Sequence, residues 1–284
     1  MVQLTDYEGL ESTWCPGCGN FGILSAVKTA LVELGLEPHQ VLMVSGIGQS
    51  GKLPHYMKCN TFNSLHGRPV PPAAGAKLAN PELTVIAVSG DGDGYGEGGN
   101  HFIHAMRRNH DITYLVHNNQ VYGLTKGQAS PTSDAGFVTK TTPHGAPVPV
   151  SPLALALVTG AGFVARGFAG DVEQLTGIIK QGITHPGFSL VDILQPCVSF
   201  NRRNTYDWYR ERVYKLDDEK GYDPTDRTAA LERAMEWGDR IPTGILYRHE
   251  RPAFEEQFPV LADGPLVNRE IKPESIEKLL DELL

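Results

Sequence analysis

Four short apolar runs, each followed by glycine or polar residues, constrain the fold of this chain more than any other feature. They occupy residues 41–45 (VLMVS), 84–89 (TVIAVS), 112–117 (ITYLVH) and 188–194 (FSLVDIL). Runs of this length with few polar interruptions are typical of strands that are buried on both faces. Such strands occur in parallel sheets whose two faces are covered by helices.

Helical periodicity fills several of the segments between these runs. In residues 21–35 the apolar side chains recur at helical spacing, and Gly35 gives a stop signal. Residues 99–109 and 171–182 are also helical in pattern. The alternation of buried strands and helices predicts an α/β fold with a doubly wound, mostly parallel sheet.

The pattern weakens beyond Phe200. We therefore predict a main domain over residues 1–200 and a C-terminal extension over residues 201–284 that contacts another subunit. After Pro273 an apolar helical stripe returns, formed by Ile276, Leu279, Leu280, Leu283 and Leu284. Packing of this stripe on the chain's own domain is favoured over docking to a partner.

Charge and hydropathy exclude several classes of protein. The 284 residues carry a formal net charge of −8, and an acidic chain without a long basic run is a poor candidate for binding nucleic acid. No segment approaches the roughly 18 apolar residues of a membrane span. The amino terminus lacks the basic and apolar regions of a secretory signal. These features predict a cytoplasmic protein.

The carboxyl ends of the predicted strands carry glycine-rich segments, and ligands of open α/β sheets bind at that edge. The first segment, residues 46–52 (GIGQSGK), partly matches two phosphate-binding motifs. A P-loop needs Ser or Thr after its lysine, where this chain has Leu53, and a dinucleotide fingerprint needs an acidic residue that residues 55–68 lack. We expect a glycine loop that holds some ligand through backbone N–H groups.

The second glycine segment indicates a cation site. Residues 90–92 (GDG) close one predicted strand, and Asn118 and Asn119 close the next. A diphosphate would be repelled by Asp91 unless a divalent cation lay between them, and Mg²⁺ takes one or two carboxylates together with phosphate oxygens. A solvated glycine-rich turn and a calcium loop are the alternatives, the latter weakened by Tyr95 at its acidic fifth position.

Four cysteines come from three separate segments of the chain. Cys15 and Cys18 form a CxxC pair, which alone fits a redox dithiol or half of a zinc site. Together with Cys59 and Cys197 they fit an iron–sulfur cubane, which takes four cysteine ligands. For any one of them, burial as a small apolar side chain is the alternative.

Taken together, these segments resemble the β subunit of the 2-oxoacid:ferredoxin oxidoreductases. The matching pieces lie within residues 14–200 and are WCPGCG, SGIGQSGK, SLHGRPVPPAAGAKLANP, SGDGD, HNNQVYGLTKGQ and QPC. The resemblance implies a fold of the thiamine diphosphate-binding type. It also implies oxidative decarboxylation of a 2-oxoacid to an acyl-coenzyme A, with electrons passed to ferredoxin, or the reverse reaction as CO₂ fixation.

The resemblance also implies a set of site residues. Mg²⁺ would be held by Asp91, Asn119 and the carbonyl of Val121. Thiamine diphosphate would be contacted by Ile47, Gly48, His66, Gly67, Gly90, Gly92, Asp93, Asn119 and Thr125. The substrate pocket would be shaped by Lys52, His66, Leu124 and Lys126, although His66 could instead serve only to bond backbone. A lysine there could pair with a second substrate carboxylate, which favours 2-oxoglutarate over pyruvate.

For the [4Fe–4S] cluster, Cys15, Cys18 and Cys197 match three of the family's ligands. Many relatives place a cysteine in the first glycine loop, where this chain has Gln49. We hypothesise that Cys59 supplies the fourth ligand from a differently routed loop. A cluster with one non-cysteine ligand is the alternative.

The resemblance implies that the chain is one half of an active site. An α subunit, in an αβ or (αβ)₂ assembly, would contribute the glutamate and pocket for the aminopyrimidine, so the chain alone would be inactive. Residues 202–210 mix basic and aromatic side chains; a solvated or subunit-facing surface is favoured there over a ferredoxin-docking one. A non-redox thiamine diphosphate decarboxylase or synthase, and a non-catalytic iron–sulfur or zinc module, remain the alternative functions.

Overall fold

The computed structural model describes residues 1–270 and 274–283. Its helices are α1 (Asn20–Glu33), α2 (Val70–Ala79), α3 (Gly99–Arg108), α4 (Pro152–Thr159), α5 (Val172–Thr184), α6 (Tyr206–Arg210), α7 (Arg227–Met235), α8 (Pro259–Ala262) and α9 (Glu274–Asp281). Its strands are β1 (Val41–Ser45), β2 (Asn60–Asn63), β3 (Thr84–Gly90), β4 (Thr113–Asn118), β5 (Val121–Tyr122), β6 (Gln128–Ala129), β7 (Phe163–Phe168), β8 (Ser189–Leu194), β9 (Val213–Lys215) and β10 (Ile241–Arg248).

Eight of these strands form one sheet in the order β2-β1-β3-β4-β8-β7-β10-β9. Strand β10 runs antiparallel to β7, and the other neighbouring pairs are parallel. Strands β5 and β6 form a small separate ribbon. The predicted α/β architecture with a mostly parallel sheet is therefore confirmed. The carboxyl ends of β1, β3, β4 and β8 lie along one edge, where the glycine-rich segments meet.

Helices cover both faces of the sheet. The central strand β4 is buried throughout, and its side chains alternate between the two layers. Tyr114 and Val116 lie in a core with residues of α2, α3 and α4. Leu115 lies in a second core with residues of α1 and α5. Each fully buried side chain of this size contributes roughly 1.5–3 kcal/mol, which explains why near-continuous apolar runs form these strands.

Strands β7 and β10 escaped the sequence analysis because polar or glycine residues interrupt their apolar pattern. Strand β7 carries Arg166, and β10 contains Pro242 and Gly244. Strands β9 and β10, which lie beyond Phe200, belong to the main sheet. The division into residues 1–200 and 201–284 stays a prediction about domain organisation.

The C-terminal helix α9 does not pack as expected. Ile276, Leu279, Leu280 and Leu283 are all more than half exposed, so the expectation that this stripe packs on the chain's own domain is wrong for these residues. Pro273 and Leu284, which belonged to the same expectation, lie outside the described residues. Over residues 1–270 and 274–283, no helix combines the length and apolar character needed to cross a membrane.

Candidate active site

A cavity of about 90 Å³ opens where the loops after β1, β3 and β4 meet. Most of the predicted site residues line it: Ile47, Gly48, His66, Gly90, Asp91, Gly92, Asp93, Asn119, Val121, Leu124 and Thr125. Gln49, Ser50, Tyr122 and Gly123 complete the lining. Gly67 donates its N–H to Asp93 Oδ1 (2.7 Å) without lining the cavity, and Lys52 and Lys126 are also outside the lining. The structure therefore brings most of the predicted residues together at one cavity and leaves the two lysines out of it.

Asp91 is the most constrained group in this cavity. Its side chain is fully buried, and its Oδ2 accepts hydrogen bonds from Ser130 Oγ (2.5 Å) and Thr132 Oγ1 (2.6 Å). Its Oδ1 is buried and has no hydrogen-bond partner among the described residues. Burial raises the pKa of Asp91 to about 6. A buried carboxylate oxygen without a donor is costly, and a cation ligated there would remove that cost.

The segment after β4 presents two further oxygens. Asn119 Nδ2 donates to Gln195 Oε1 (2.9 Å), and Asn119 Oδ1 accepts from the Val121 N–H (3.1 Å). Between them, Gln120 adopts a left-handed conformation with φ of 60°, which costs a non-glycine residue about 1–3 kcal/mol. Its side-chain amide donates to the Thr132 carbonyl (2.8 Å), which helps to hold this conformation. A carboxylate, an amide oxygen and a carbonyl are a donor set suited to Mg²⁺.

Asp93 fastens the loops around the cavity. Its carboxylate accepts from the backbone N–H groups of Ile47 (3.1 Å) and Gly67 (2.7 Å) and from Ser89 Oγ (2.7 Å). It also lies 2.5 Å from His66 Nδ1. With this many partners inside the protein, Asp93 holds the first glycine loop and the His66 loop against β3.

His66 reaches the cavity with its second ring nitrogen uncommitted to backbone. Its side chain is 41% exposed, and its Nε2 lies 3.6 Å from Glu97 Oε2. The interpretation that His66 serves only to bond backbone does not fit, because both ring nitrogens face carboxylates.

Gly92 is required by close packing. A Cβ atom there would lie 2.3 Å from Cε1 of the Tyr122 ring, far inside van der Waals contact. The Tyr122 hydroxyl lies within hydrogen-bond distance of Glu97 Oε2 (3.2 Å). Any side chain at position 92 would therefore displace Tyr122 from the wall of the cavity.

Three of the four cysteines line a second cavity of about 60 Å³, and Gln49, Asn119 and Gly123 line both this cavity and the first. Cys15 Sγ accepts a hydrogen bond from Ser199 Oγ (3.1 Å), and Cys18 Sγ accepts one from Gln195 Nε2 (3.5 Å). Burial, together with the neighbouring Cys197 and Cys15, raises the pKa of Cys18 to about 11. Within the described part of the chain, no three His, Cys, Asp or Glu side chains form a ready metal-binding group.

Cys59 lies elsewhere, and the hypothesis that it completes this group is not supported. It immediately precedes β2, whose Asn60 pairs with Leu42 near the start of β1. Cys59 is thus at the amino ends of the strands and packs against the apolar core beneath α1, whereas Cys197 follows the carboxyl end of β8. Burial raises the pKa of Cys59 to about 11. The residue that lines the cysteine cavity in its place is Gln49.

Comparisons with known proteins identify the family of this chain. Residues 40–193 match the family model described as thiamine pyrophosphate enzyme, C-terminal TPP binding domain, and residues 197–263 match the model for the carboxyl-terminal part of the pyruvate ferredoxin oxidoreductase β chain. A 2-oxoacid:ferredoxin oxidoreductase subunit beta from Saccharolobus solfataricus is 50% identical over 256 residues, covering 86% of this chain and 84% of that protein. The chain belongs to the family of 2-oxoacid:ferredoxin oxidoreductase β subunits.

Relatives of this β subunit include 2-oxoglutarate enzymes. The 2-oxoglutarate oxidoreductase subunit KorB of Mycobacterium tuberculosis is 47% identical over 212 residues, covering 72% of this chain and 57% of that protein. The solved structure of 2-oxoglutarate:ferredoxin oxidoreductase from Magnetococcus marinus, with 2-oxoglutarate, coenzyme A and succinyl-CoA bound, aligns with a TM-score of 0.90 at 37% identity. That alignment covers 98% of this chain and 96% of that one. The predicted family and its fold type are confirmed.

Several groups that organise the site of this β subunit carry no recognisable signal in the sequence. Ser130 and Thr132 lie in a Ser-, Thr- and Pro-rich stretch that has the composition of a loop, yet both bond Asp91. Gln195 precedes the Pro-Cys of the QPC motif but carries no signal of its own. Gln120 likewise has no signal of its own within HNNQVYG. No local pattern marks such residues, because each acts on a partner from a distant segment.

Proposed function

We propose that this β subunit binds thiamine diphosphate through Mg²⁺ and serves the coenzyme A-dependent oxidative decarboxylation of a 2-oxoacid. The observation that carries the proposal is the buried, unpartnered Oδ1 of Asp91 in a cavity that Asn119 and Val121 also line. A diphosphate entering this cavity needs a cation beside Asp91.

In this proposal Asp91, Asn119 and the carbonyl of Val121 hold Mg²⁺, and the backbone of the loops around Gly48 and Gly90 faces the diphosphate. Thiamine diphosphate supplies an electron sink for decarboxylation. The protein's part is to orient the cofactor and the substrate and to exclude water. His66, fixed through Nδ1 by Asp93, holds its Nε2 at the cavity wall, where a substrate oxygen or proton can be bound.

We propose that Cys15, Cys18 and Cys197 hold an iron–sulfur cluster and that Gln49 occupies the fourth corner. All four residues line one cavity, and three cysteines from two segments give most of the ligands of a [4Fe–4S] cubane. The amide of Gln49 is a weaker ligand than a thiolate, so the iron at that corner would be held least tightly.

An α subunit is proposed to complete the active site. Two apolar features of the described residues suit a partner. The first is the edge strand β2, which is exposed along its length and bears Phe62, with Leu65 just beyond it; the second is the exposed stripe of α9. The β-subunit naming of the relatives supports the same inference. We expect no turnover from the chain alone, measured with a 2-oxoacid, coenzyme A and a viologen dye.

Ferredoxin is proposed to dock beside the cysteine cavity. Arg202 is exposed, lies next to Cys197 in a surface groove and makes no ion pair with the described residues. Arg203, Arg210 and Arg212 are already paired with carboxylates. We expect ferredoxin reduction to slow several-fold as salt rises toward ~0.5 M, because steering by charge is screened. An Arg202→Gln variant should show a weaker salt dependence, and an unchanged dependence would contradict docking at this groove.

The proposed substrate is 2-oxoglutarate, in either direction of the reaction, ahead of pyruvate. Support comes from the 2-oxoglutarate relatives rather than from Lys52 and Lys126.

The deciding experiment measures thiamine diphosphate binding by calorimetry, with and without Mg²⁺, on anaerobically purified protein with any subunits that co-purify. A panel of 2-oxoacids with coenzyme A and a viologen dye follows. Binding that does not depend on a divalent cation would contradict the proposed site.

A further inference from the structure

Gln195 joins the two cavities through a single side chain. Its Oε1 accepts from Asn119 Nδ2 (2.9 Å) on the cation side. Its Nε2 donates to Cys18 Sγ (3.5 Å) and to the Pro196 carbonyl (2.8 Å) on the cysteine side. The three contacts commit both ends of the amide, so a flipped orientation would set donor against donor and acceptor against acceptor.

The position of Gln195 is fixed by its surroundings. Its side chain is only 1% exposed, and its backbone N–H donates to the Asn118 carbonyl (2.9 Å), which continues the β4–β8 pairing. Gly19 packs directly on it, because a Cβ there would lie 2.9 Å from Gln195 Cγ. The Gly19 N–H in turn donates to the Pro196 carbonyl (3.2 Å). The last glycine of WCPGCG is therefore the residue that leaves room for the glutamine of QPC.

We propose that Gln195 is a positioning residue that couples the cation site to the iron–sulfur site. By bonding Asn119 Nδ2 it turns the amide oxygen of Asn119 toward the cation. By donating to Cys18 it stabilises negative charge on the sulfur ligand. The inference rests on the proposed function and extends it, because it makes the reduction potential of the cluster and the affinity for the Mg²⁺–thiamine diphosphate pair depend on one side chain.

Two consequences follow from hydrogen-bond chemistry. An N–H donor to a cluster sulfur favours the reduced, more negative state, so its loss lowers the reduction potential. A residue that orients a metal ligand typically changes metal affinity 10- to 100-fold when it is removed. Coupling between sites is reciprocal, so filling the cation site should shift the cluster potential.

The test is Gln195→Met, which keeps the length of the side chain and removes its amide. In anaerobically purified protein with co-purifying subunits, we expect Mg²⁺-dependent thiamine diphosphate affinity to fall about 10- to 100-fold. The midpoint potential of the cluster, measured by titration with electron paramagnetic resonance detection, should shift downward. The shift in potential that the cofactor induces should shrink. Gln195→Asn, which is one methylene shorter, should change the affinity, the midpoint potential and the cofactor-induced shift in the same directions. It replaces the methionine variant if that variant does not fold.

Two controls separate coupling from a general structural role. Ser199→Ala removes the donor to Cys15 without touching Asn119, so it should lower the potential and keep the affinity. Ser130→Ala removes a donor to Asp91, so it should weaken cofactor binding and keep the potential. The inference is overturned if a folded Gln195 variant with a full iron complement keeps the wild-type thiamine diphosphate affinity and the wild-type cluster potential. It is also overturned if only one of these two quantities changes. Wild-type protein without iron, or without cation-dependent binding, overturns the proposed function itself.

Discussion

The two cavities that share Asn119 in their linings differ in how many of the proposed ligands this chain supplies. On the cation side, loops after three strands bond one another, and one carboxylate oxygen is left without a donor among the described residues. On the cysteine side, three thiols and the amide of Gln49 share a cavity, and Cys59 lies at the opposite ends of the strands. The first cavity thus has the groups proposed to bind a cation, whereas the second lacks a fourth thiolate for the proposed cluster.

The difference has an energetic side. Raising the pKa of a buried carboxylate from 3.8 to about 6 corresponds to a cost of about 3 kcal/mol for keeping Asp91 ionised in the folded protein. This cost remains after the hydrogen bonds from the hydroxyl groups of Ser130 and Thr132, which lower the pKa, are included. A cation bound beside Asp91 Oδ1 would offset this cost.

The largest expected effect concerns the two kinds of cysteine. Cys197→Ser should lose most of the iron during anaerobic purification, because only two thiolates would remain in the cavity. Cys59→Ser, an equivalent change at the amino ends of the strands, should keep the wild-type iron content. Iron and sulfide analysis of both variants checks this. Equal losses in the two would contradict the separation of Cys59 from the other cysteines.

The cation side should respond strongly to loss of its carboxylate. Asp91→Asn keeps the size of the side chain but removes its charge, so we expect Mg²⁺-dependent thiamine diphosphate affinity to fall about 100-fold or more. Calorimetric titration measures it. Asp207→Asn, a change at an exposed carboxylate, is the matched control and should leave the affinity within twofold. Retained affinity in the Asp91 variant would mean that the cation binds elsewhere.

The pH dependence of cofactor binding gives a second test of Asp91. As the pH falls through about 6, Asp91 takes up a proton and ceases to attract a cation, so affinity at pH 5 should be about tenfold weaker than at pH 7. In the metal-free protein, the free energy of unfolding depends on pH in the opposite direction. The folded state holds this proton more tightly than the unfolded one, so the contribution of Asp91 to the free energy of unfolding rises as the pH falls from about 6 to 4. Titrations of Asp91→Asn should lack both trends.

The smallest effect is expected from completing the cysteine side. Gln49→Cys would place a fourth thiolate in the cavity, and we expect the cluster to lose iron several-fold more slowly in air, followed by absorbance near 400 nm. Gln49→Ser, similar in size to the cysteine variant, controls for the loss of the amide. If Gln49→Cys bleaches at the wild-type rate, position 49 does not face the cluster.

Prediction from sequence was most successful where function is concentrated in consecutive residues. The strands β1, β3, β4 and β8, and the candidate cation ligands at their ends, follow from apolar runs and from residue types that suit Mg²⁺. What local patterns leave out has physical causes: Arg166 interrupts the apolar pattern of β7, and the hypothesis for Cys59 rests on elimination, which does not indicate the end of the sheet at which a residue lies. Long-range partners such as Ser130 and Gln195 cannot be inferred locally, because their hydrogen bonds cross tens of residues of chain.

The contact between Gly19 and Gln195 has a consequence for the order of events during synthesis. The hydrogen bond from Gln195 to Cys18 joins residues 177 positions apart. At about 5–20 residues per second on the ribosome, Cys15 and Cys18 would wait roughly 9–35 s before β8 and Cys197 emerge. During that interval the CxxC thiols have no cavity around them and are open to oxidation or to stray metal ions. Assembly of the proposed cluster would thus be a late step, and slow translation or oxygen stress should harm this protein first at its amino-terminal cysteines.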